Sequence, residues 1–159
     1  MKKILTAAVL LMLLLLAACS GGSEYKDDVS LDTLASAVDA SIDSEALVAM
    51  EDSYLRNAMQ LEPDDFGGYV VKINSRGVNI DEYGIFKAPD GDSVDEVQKA
   101  AEDYLQFRLD SWMSEYMPEE LPKLENASVQ VCGQYVMYAI LADDSKEAAI
   151  SAFEEALTK

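Results

Sequence analysis

The sequence predicts an α+β fold: a single domain whose four-stranded antiparallel sheet is covered by helices, in the order helix, helix, hairpin, long helix, hairpin, helix. Three observations predict it. Apolar residues recur every three or four positions in four segments, as in helices that bury one face. They alternate in two further segments, each interrupted by a glycine-containing turn, as in β-hairpins. The chain of 159 residues is also of a size that folds around one core.

The N-terminus has the layout of a secretory signal: two lysines precede an almost unbroken apolar run at residues 4–16. The run is shorter than the roughly 20 residues that a membrane-spanning helix needs. Residues 16–19 (LAAC) resemble the lipobox of bacterial lipoproteins, in which cleavage follows Ala18 and the thiol of Cys19 carries diacylglycerol. We therefore expect residues 1–18 to be a signal peptide; an ordinary secretory signal without lipidation is the alternative.

Residues 19–29 are small, polar and charged, which predicts a lipidated, flexible tether in front of a domain at residues 30–159. The whole chain has a formal charge of −18, and loss of the two signal lysines would bring it to −20. Nucleic acid is not expected as a partner, because its binding depends on clustered Lys and Arg. The same charge repels anionic headgroups, so the domain is expected to stay above the bilayer.

Two helices are predicted before the first hairpin. The first begins near Ser30, and its inward residues are Leu31, Leu34, Ala35 and Val38. Asp43 and Ser44 are residue types that cap helices, and they precede a second helix that ends at Met59. The inward residues of this second helix are Ala46, Leu47, Met50 and Tyr54.

The first hairpin is predicted from a change of period after Pro63. Residues 66–74 alternate, with Tyr69, Val71 and Ile73 on one face. Residues 75–77 (SRG) supply a turn, and residues 80–88 (IDEYGIFKA) form the returning antiparallel strand.

A long helix is predicted between the hairpins. Ser93 and Glu96 have the spacing of a capping box, in which the hydroxyl and the carboxylate each bind a free backbone N–H. The inward stripe comprises Val94, Val97, Ala101, Tyr104, Leu105, Trp112 and Tyr116. Pro118 stops the pattern, so we expect the helix to continue almost to that residue.

Residues 128–142 form the second hairpin, because two alternating apolar runs flank Gly133 and Gln134. A two-residue turn with glycine first is typical of type II′, whose first position requires a positive φ. Residues 144–147 then cap a final helix. Its inward residues are Ala149, Ile150, Phe153 and Leu157.

Several short motifs, taken in order and spacing, resemble a known family. They are YxPEE at 116–120, PKLxNA at 122–127, GxYV at 133–136, DD at 143–144 and the strand DEYGIFKA at 81–88. With the lipobox they resemble the short lipoproteins grouped as domain of unknown function 4358. The resemblance implies a small envelope lipoprotein of Gram-positive bacteria and supplies no activity, cofactor or catalytic residue. Cys132 and Gly84 depart from the family pattern.

No catalytic residue is assigned from the sequence. The chain has no His, so Cys132 lacks the usual base and is expected to be a small buried hydrophobic residue. Acidic pairs at 64–65, 119–120 and 143–144 fall at predicted element ends, where caps are ordinary. A hydrolase would need two such carboxylates at a fixed separation, and it remains an alternative.

A cation site is the second alternative. Asp90, Asp92 and Asp95 offer oxygen ligands close together in the sequence. The regular calcium loop also needs a central glycine in register and a distal glutamate, and that register is absent. We therefore assign no metal site and no cofactor, and keep a weak cation-binding module as an alternative.

Arg108 falls within the apolar stripe of the long helix, between Tyr104 and Trp112. A charge on that face must reach solvent or find a partner. We expect a structural ion pair with Glu82 on the second strand; the functional alternative is that Arg108 binds the carboxylate of a ligand. Phe107 lies off the stripe and is the candidate interaction face.

Together these features predict a lipid-anchored protein on the extracytoplasmic face of the cell membrane. Its domain is interpreted as a non-enzymatic binding or scaffold module. The expected partners are the membrane, through the lipid on Cys19, and an envelope protein or ligand.

Overall fold

The computed structural model describes residues 25–113 and 115–159. Within them the strands are β1 (Leu47–Ala49), β2 (Gly68–Asn74), β3 (Glu82–Lys87), β4 (Ser128–Cys132) and β5 (Tyr135–Ile140). They form one antiparallel sheet in the order β1-β2-β3-β5-β4. Both predicted hairpins are present, and Gly133 begins the second turn with a φ of 58°. The α+β class and the antiparallel sheet are therefore confirmed.

The predicted number of strands, four, was wrong, because the described residues contain a fifth strand, β1, that was assigned to the second helix. Leu47 lies opposite Asn74 and Ala49 lies opposite Lys72, so β1 pairs with the outer edge of β2. Three residues are too few to show an alternating pattern, and tertiary pairing overrides local propensity here.

The helical part of this region begins later than predicted. α2 (Asp52–Tyr54) continues into a π-helical turn, Leu55–Met59. Gln60 ends the turn in the left-handed conformation, with a φ of 59°. The backbone therefore departs from regular α-helix at residues that bury Leu55 and Met59 in the core.

Helices cover both faces of the sheet. α1 (Leu31–Ser41) and α5 (Asp143–Leu157) pack together on one face. α3 (Val94–Asp110), the π-helical turn and the short α4 (Leu121–Glu125) lie on the other face. The central strands β3 and β5 are consequently buried on both sides, which explains the nearly continuous apolar run in β5.

Alternate side chains of β3 enter two different cores. Tyr83 and Ile85 pack in the core beneath α1 and α5. Phe86 packs in the core beneath α3, with Val97 from that helix. Glu82 points to the same side as Phe86, because its carboxylate is bonded to side chains of α3.

Both ends of α3 differ from the prediction. Ser93 precedes the first helical residue, but its side chain makes no capping bond; instead Asp90 caps the turn before the helix, where its Oδ1 accepts from the backbone N–H of Ser93 at 2.9 Å and from the hydroxyl of Ser93 at 2.7 Å. A 3₁₀ turn, Gly91–Ser93, separates this cap from the first helical residue. At the other end, the backbone N–H of Trp112 donates to Leu109, which tightens and ends the last turn at Asp110.

Residues 25–29, which were predicted to belong to the tether, lie against the domain. Tyr25 forms a β-bridge with Thr158, and the backbone N–H of Lys26 donates to Leu157 at 2.8 Å. The Tyr135 hydroxyl donates to the carbonyl of Val29 at 2.6 Å. Among the helices of the described residues, none combines the length and hydropathy needed to cross a bilayer.

Candidate functional site

Glu82 is a buried carboxylate at the centre of a polar cluster, with 2% of its side chain exposed. Its Oε1 accepts hydrogen bonds from the hydroxyls of Tyr104 and Tyr138, each at 2.7 Å. Its Oε2 is ion-paired with Nη1 of Arg108. The hydroxyl of Tyr54 lies 3.4 Å from that of Tyr104. We call these five residues the Glu82 cluster.

The secondary structure explains how these side chains meet. Tyr104 and Arg108 are four residues apart on α3 and therefore share one face of the helix. Tyr138 on β5 lies opposite Gly84 of β3, two positions along from Glu82, so its side chain is on the same face of the sheet. Arg108 and Glu82, the pair expected from the sequence, are thus ion-paired between helix and sheet.

Burial and the charge of Glu82 set the protonation of its neighbours. Burial raises the pKa of Tyr104 and of Tyr138 above the usual value for tyrosine, and the nearby carboxylate raises both further. Burial alone would lower the pKa of Arg108, but attraction to Glu82 and contact with Tyr104 outweigh it, so the pKa is raised. The tyrosines therefore remain hydrogen-bond donors and Arg108 remains a cation at neutral pH.

An open cavity of about 340 Å³ adjoins the cluster. We call it the Arg108 cavity; its lining residues are Tyr54, Ala58, Ile73, Asn74, Asn79, Ile80, Asp81, Glu82, Tyr104 and Arg108. A second open cavity, of about 570 Å³, shares Tyr54 and Ala58 with it. Ala58 belongs to the π-helical turn, a conformation that is frequent at functional sites.

Arg108 presents unused donors beside this cavity. Its Nη1 donates to Glu82 and, at 2.9 Å, to the hydroxyl of Tyr104, and its Cζ lies 5.8 Å from the Tyr104 ring centroid. Its Nε and Nη2 have no acceptor in the described part of the chain. Arg108 lines the cavity with 22% of its side chain exposed, and the Nε and Nη2 edge of its guanidinium is the part that Glu82 and Tyr104 leave unoccupied. This is the edge that binds a carboxylate through two parallel hydrogen bonds.

A second polar group fixes the loop that forms the cavity wall. Nζ of Lys123 on α4 donates to Oδ1 of Asp81 at 2.7 Å and to Oε2 of Glu120 at 2.8 Å. Glu120 also accepts from the backbone N–H of Ile80 at 3.0 Å. The second carboxylate oxygen of Asp81 has no partner among the described residues. One acceptor of the wall therefore remains available.

The three tyrosines of the cluster were not identified as site residues from the sequence. Tyr104 was assigned only to the apolar stripe, Tyr54 only to the inward face of the second helix, and Tyr138 only to an apolar run of the second hairpin. A usable signal was present, because a buried carboxylate requires several donors and tyrosine supplies one from an otherwise apolar position.

Phe107, the residue expected to be an interaction face, is 44% exposed. Met113 and Tyr116, beyond the end of α3, are 67% and 57% exposed. We call these three residues the Phe107 surface. It lies at the end of α3 that carries Arg108.

The other sequence candidates occupy structural positions or lie outside the described residues. Asp90 caps the 3₁₀ turn that leads into α3, and Cys132 is fully buried with its pKa raised by burial. Within residues 25–113 and 115–159, no group of three or more potential metal ligands comes together. Ala18 and Cys19, the predicted cleavage and lipidation positions, lie outside the described residues.

Comparison with known proteins gives one match. A family model described as a domain of unknown function, DUF4358, matches residues 40–141, which include Glu82, Arg108 and the walls of the Arg108 cavity. Neither a curated protein nor a solved structure matches the chain. Because the matched segment is well over half of the sequence, this chain belongs to the DUF4358 family.

Proposed function

We propose that this protein is a lipid-anchored, extracytoplasmic binding module that holds a small ligand in the Arg108 cavity. The observation that carries the proposal is the half-buried guanidinium of Arg108, which is fixed through Nη1 while its Nε and Nη2 have no acceptor among the described residues. Unused charged donors at a preformed cavity are what orients a polar ligand in a binding site.

The anchoring part of the proposal rests on the sequence. The signal-like run and the LAAC motif precede a domain whose first described residues are already attached beside the end of α5. Two acyl chains on Cys19 would give stable attachment, whereas a single chain gives only marginal binding.

The hydrolase alternative has weaker support in the geometry. Glu82 and Asp81 both line the cavity, but Glu82 is 2% exposed and its oxygens are occupied by two tyrosines and Arg108. Asp81 is ion-paired with Lys123. Acid–base hydrolysis needs two carboxylates that reach the same substrate bond.

The test is a binding screen on the full-length protein with soluble probes of each charge class: acetate, phosphate, glucose, putrescine and L-leucine. We expect at least one probe to raise the Tm, and to lose that effect in Ala58→Trp, whose bulky side chain would fill the cavity. The control is Ala40→Trp, which places the same side chain at an exposed position of α1. If no probe binds, or if binding survives Ala58→Trp in a protein that remains folded, the proposal is wrong.

A second candidate function is docking of an envelope protein on the Phe107 surface, favoured by the exposure of its three apolar side chains. A photo-crosslinker at position 107 in intact cells should then capture one defined protein. The same probe at Glu102, an exposed residue of α3, should not. Equal labelling from both positions would count against this surface.

A further inference from the structure

We infer that the ligand of the Arg108 cavity is an α-amino-acid zwitterion, with its carboxylate on Nε and Nη2 of Arg108 and its ammonium on Asp81. This inference rests on the proposed function and specifies its ligand. Three observations support it: Arg108 and Asp81, of opposite charge, line the same cavity; the cavity is small; and the whole protein is strongly acidic.

The positive element is the edge of Arg108 formed by Nε and Nη2. Nη1 is held by Glu82 and Tyr104, so the guanidinium is already oriented when a ligand arrives. A planar, fixed guanidinium recognises a carboxylate through two parallel bonds, and little side-chain entropy remains to be lost on binding.

The negative element is Asp81, whose side chain is 25% exposed. Lys123 occupies only Oδ1, which leaves Oδ2 as an acceptor. Tyr54 adds another acceptor. The single proton of Tyr104 is donated to Glu82, so Tyr54 is the donor in their 3.4 Å contact, and no described residue donates to the Tyr54 oxygen. An ammonium group has three donors and no acceptor, which matches these partners.

The size and polarity of the cavity limit the rest of the ligand. Its volume of about 340 Å³ is at the lower end of the roughly 300–1,000 Å³ typical of small-molecule sites. Ile73, Ile80 and Ala58 supply apolar wall beside the charged groups. A single amino acid with an aliphatic side chain fits both properties.

The net charge of the protein decides between an anion and a zwitterion. A formal charge of −18 opposes the approach of any purely anionic ligand. A ligand whose own ammonium balances its carboxylate avoids this repulsion and still uses Arg108. A purely cationic ligand would be attracted by the protein but would leave Arg108 without an acceptor and place like charges together.

The experiment compares three probes of one shape by calorimetry on the full-length protein: L-leucine, L-leucinamide, which lacks the carboxylate, and N-acetyl-L-leucine, which lacks the ammonium. We expect L-leucine to bind at least about tenfold more tightly than either, since each lost charged contact removes about that factor. We also expect L-leucine to shift the Nε–H resonance of Arg108 in NMR spectra.

Two variants with a matched control assign the contacts. Arg108→Lys keeps the charge but loses the two-bond edge, and Asp81→Asn removes the ammonium partner; each should weaken L-leucine binding about tenfold or more. Asp95→Asn makes the same chemical change as Asp81→Asn at an exposed position of α3 and should leave binding unchanged.

The outcomes separate this inference from the proposed function. The assignment of a zwitterionic ligand is wrong if N-acetyl-L-leucine binds as tightly as L-leucine, or if another class of probe binds in the cavity and L-leucine does not. Either result would still support a binding cavity. The absence of any probe binding that depends on Ala58 would overturn both.

Discussion

Gly84 and Tyr138 lie opposite each other on the two central strands, and the ring of Tyr138 occupies the space above Gly84. A Cβ built on Gly84 would lie within 3.0 Å of three ring atoms. The ring cannot retreat easily, because it is fully buried, stacks on Phe86 and donates its hydroxyl proton to Glu82. The absence of a side chain at Gly84 therefore lets Tyr138 reach the buried carboxylate.

Gly84→Ala should destabilise the fold by about 1–3 kcal/mol, the usual cost of overpacking a rigid core. The measurement is urea denaturation followed by circular dichroism. Gly91→Ala is the control, since a Cβ there meets nothing within 4 Å. Similar midpoints for the two variants would show that Tyr138 does not need the space above Gly84.

Arg108→Ala should cost about 3–5 kcal/mol of unfolding free energy, because it leaves the carboxylate of Glu82 buried without a cation. Arg108→Met should cost less, since it keeps the apolar stem that packs on α3 and Tyr104. Adding Glu82→Gln to Arg108→Met should recover part of the loss, because the uncompensated charge is then absent. Equal losses of unfolding free energy in Arg108→Ala and Arg108→Met would contradict packing of the Arg108 stem. If the loss in the double variant equals the sum of the losses in the two single variants, Arg108 and Glu82 are not coupled.

Stability should fall as the pH rises above about 10, the ordinary pKa of tyrosine. Tyr83, Tyr104 and Tyr138 have raised pKa values because of burial, followed for Tyr83 by its contact with Asp39 and for the other two by Glu82. The unfolded chain loses these phenolic protons at a lower pH than the folded chain. The stabilisation by these protonated tyrosines is therefore complete below about pH 10, and it is lost as the pH approaches their pKa values in the folded protein.

Tyrosinate absorbance at rising pH would measure this effect. We expect Tyr83, Tyr104 and Tyr138, whose pKa values are raised by burial, to ionise only as the fold opens. Ionisation of all tyrosines in one step near pH 10, with the circular dichroism spectrum unchanged, would be incompatible with the buried cluster.

Asp90→Ala should lower the Tm more than Ser93→Ala does, because Asp90 accepts the hydrogen bonds of the 3₁₀ turn that leads into α3. Hydrogen bonds from the hydroxyl and the backbone of Ser93 lower the pKa of Asp90. Its contribution should therefore be present above about pH 4 and be lost as the pH falls through the folded value. A larger decrease in Tm for Ser93→Ala than for Asp90→Ala at pH 7 would instead support the capping box of Ser93 and Glu96 expected from the sequence.

Local patterns were sufficient to predict both hairpins, the long helix and the final helix, because each of them has a clear period. They were not sufficient for β1, whose three residues are ordered only by pairing with β2, nor for the π-helical turn that follows it. Likewise, a charge that interrupts an apolar stripe singles out Arg108 in the sequence, whereas Asp81 and Tyr54 join the site only because the fold brings the start of β3 and the end of α2 beside α3.

An envelope ligand can reach this domain only if the domain is displayed outside the membrane. Mass spectrometry of the N-terminal peptide of the native protein, isolated from a membrane fraction, tests that most directly. We predict that the chain begins at Cys19 and carries a diacylglyceryl group on its sulfur. An unmodified N-terminus, or recovery of the protein from the cytosolic fraction, would contradict it.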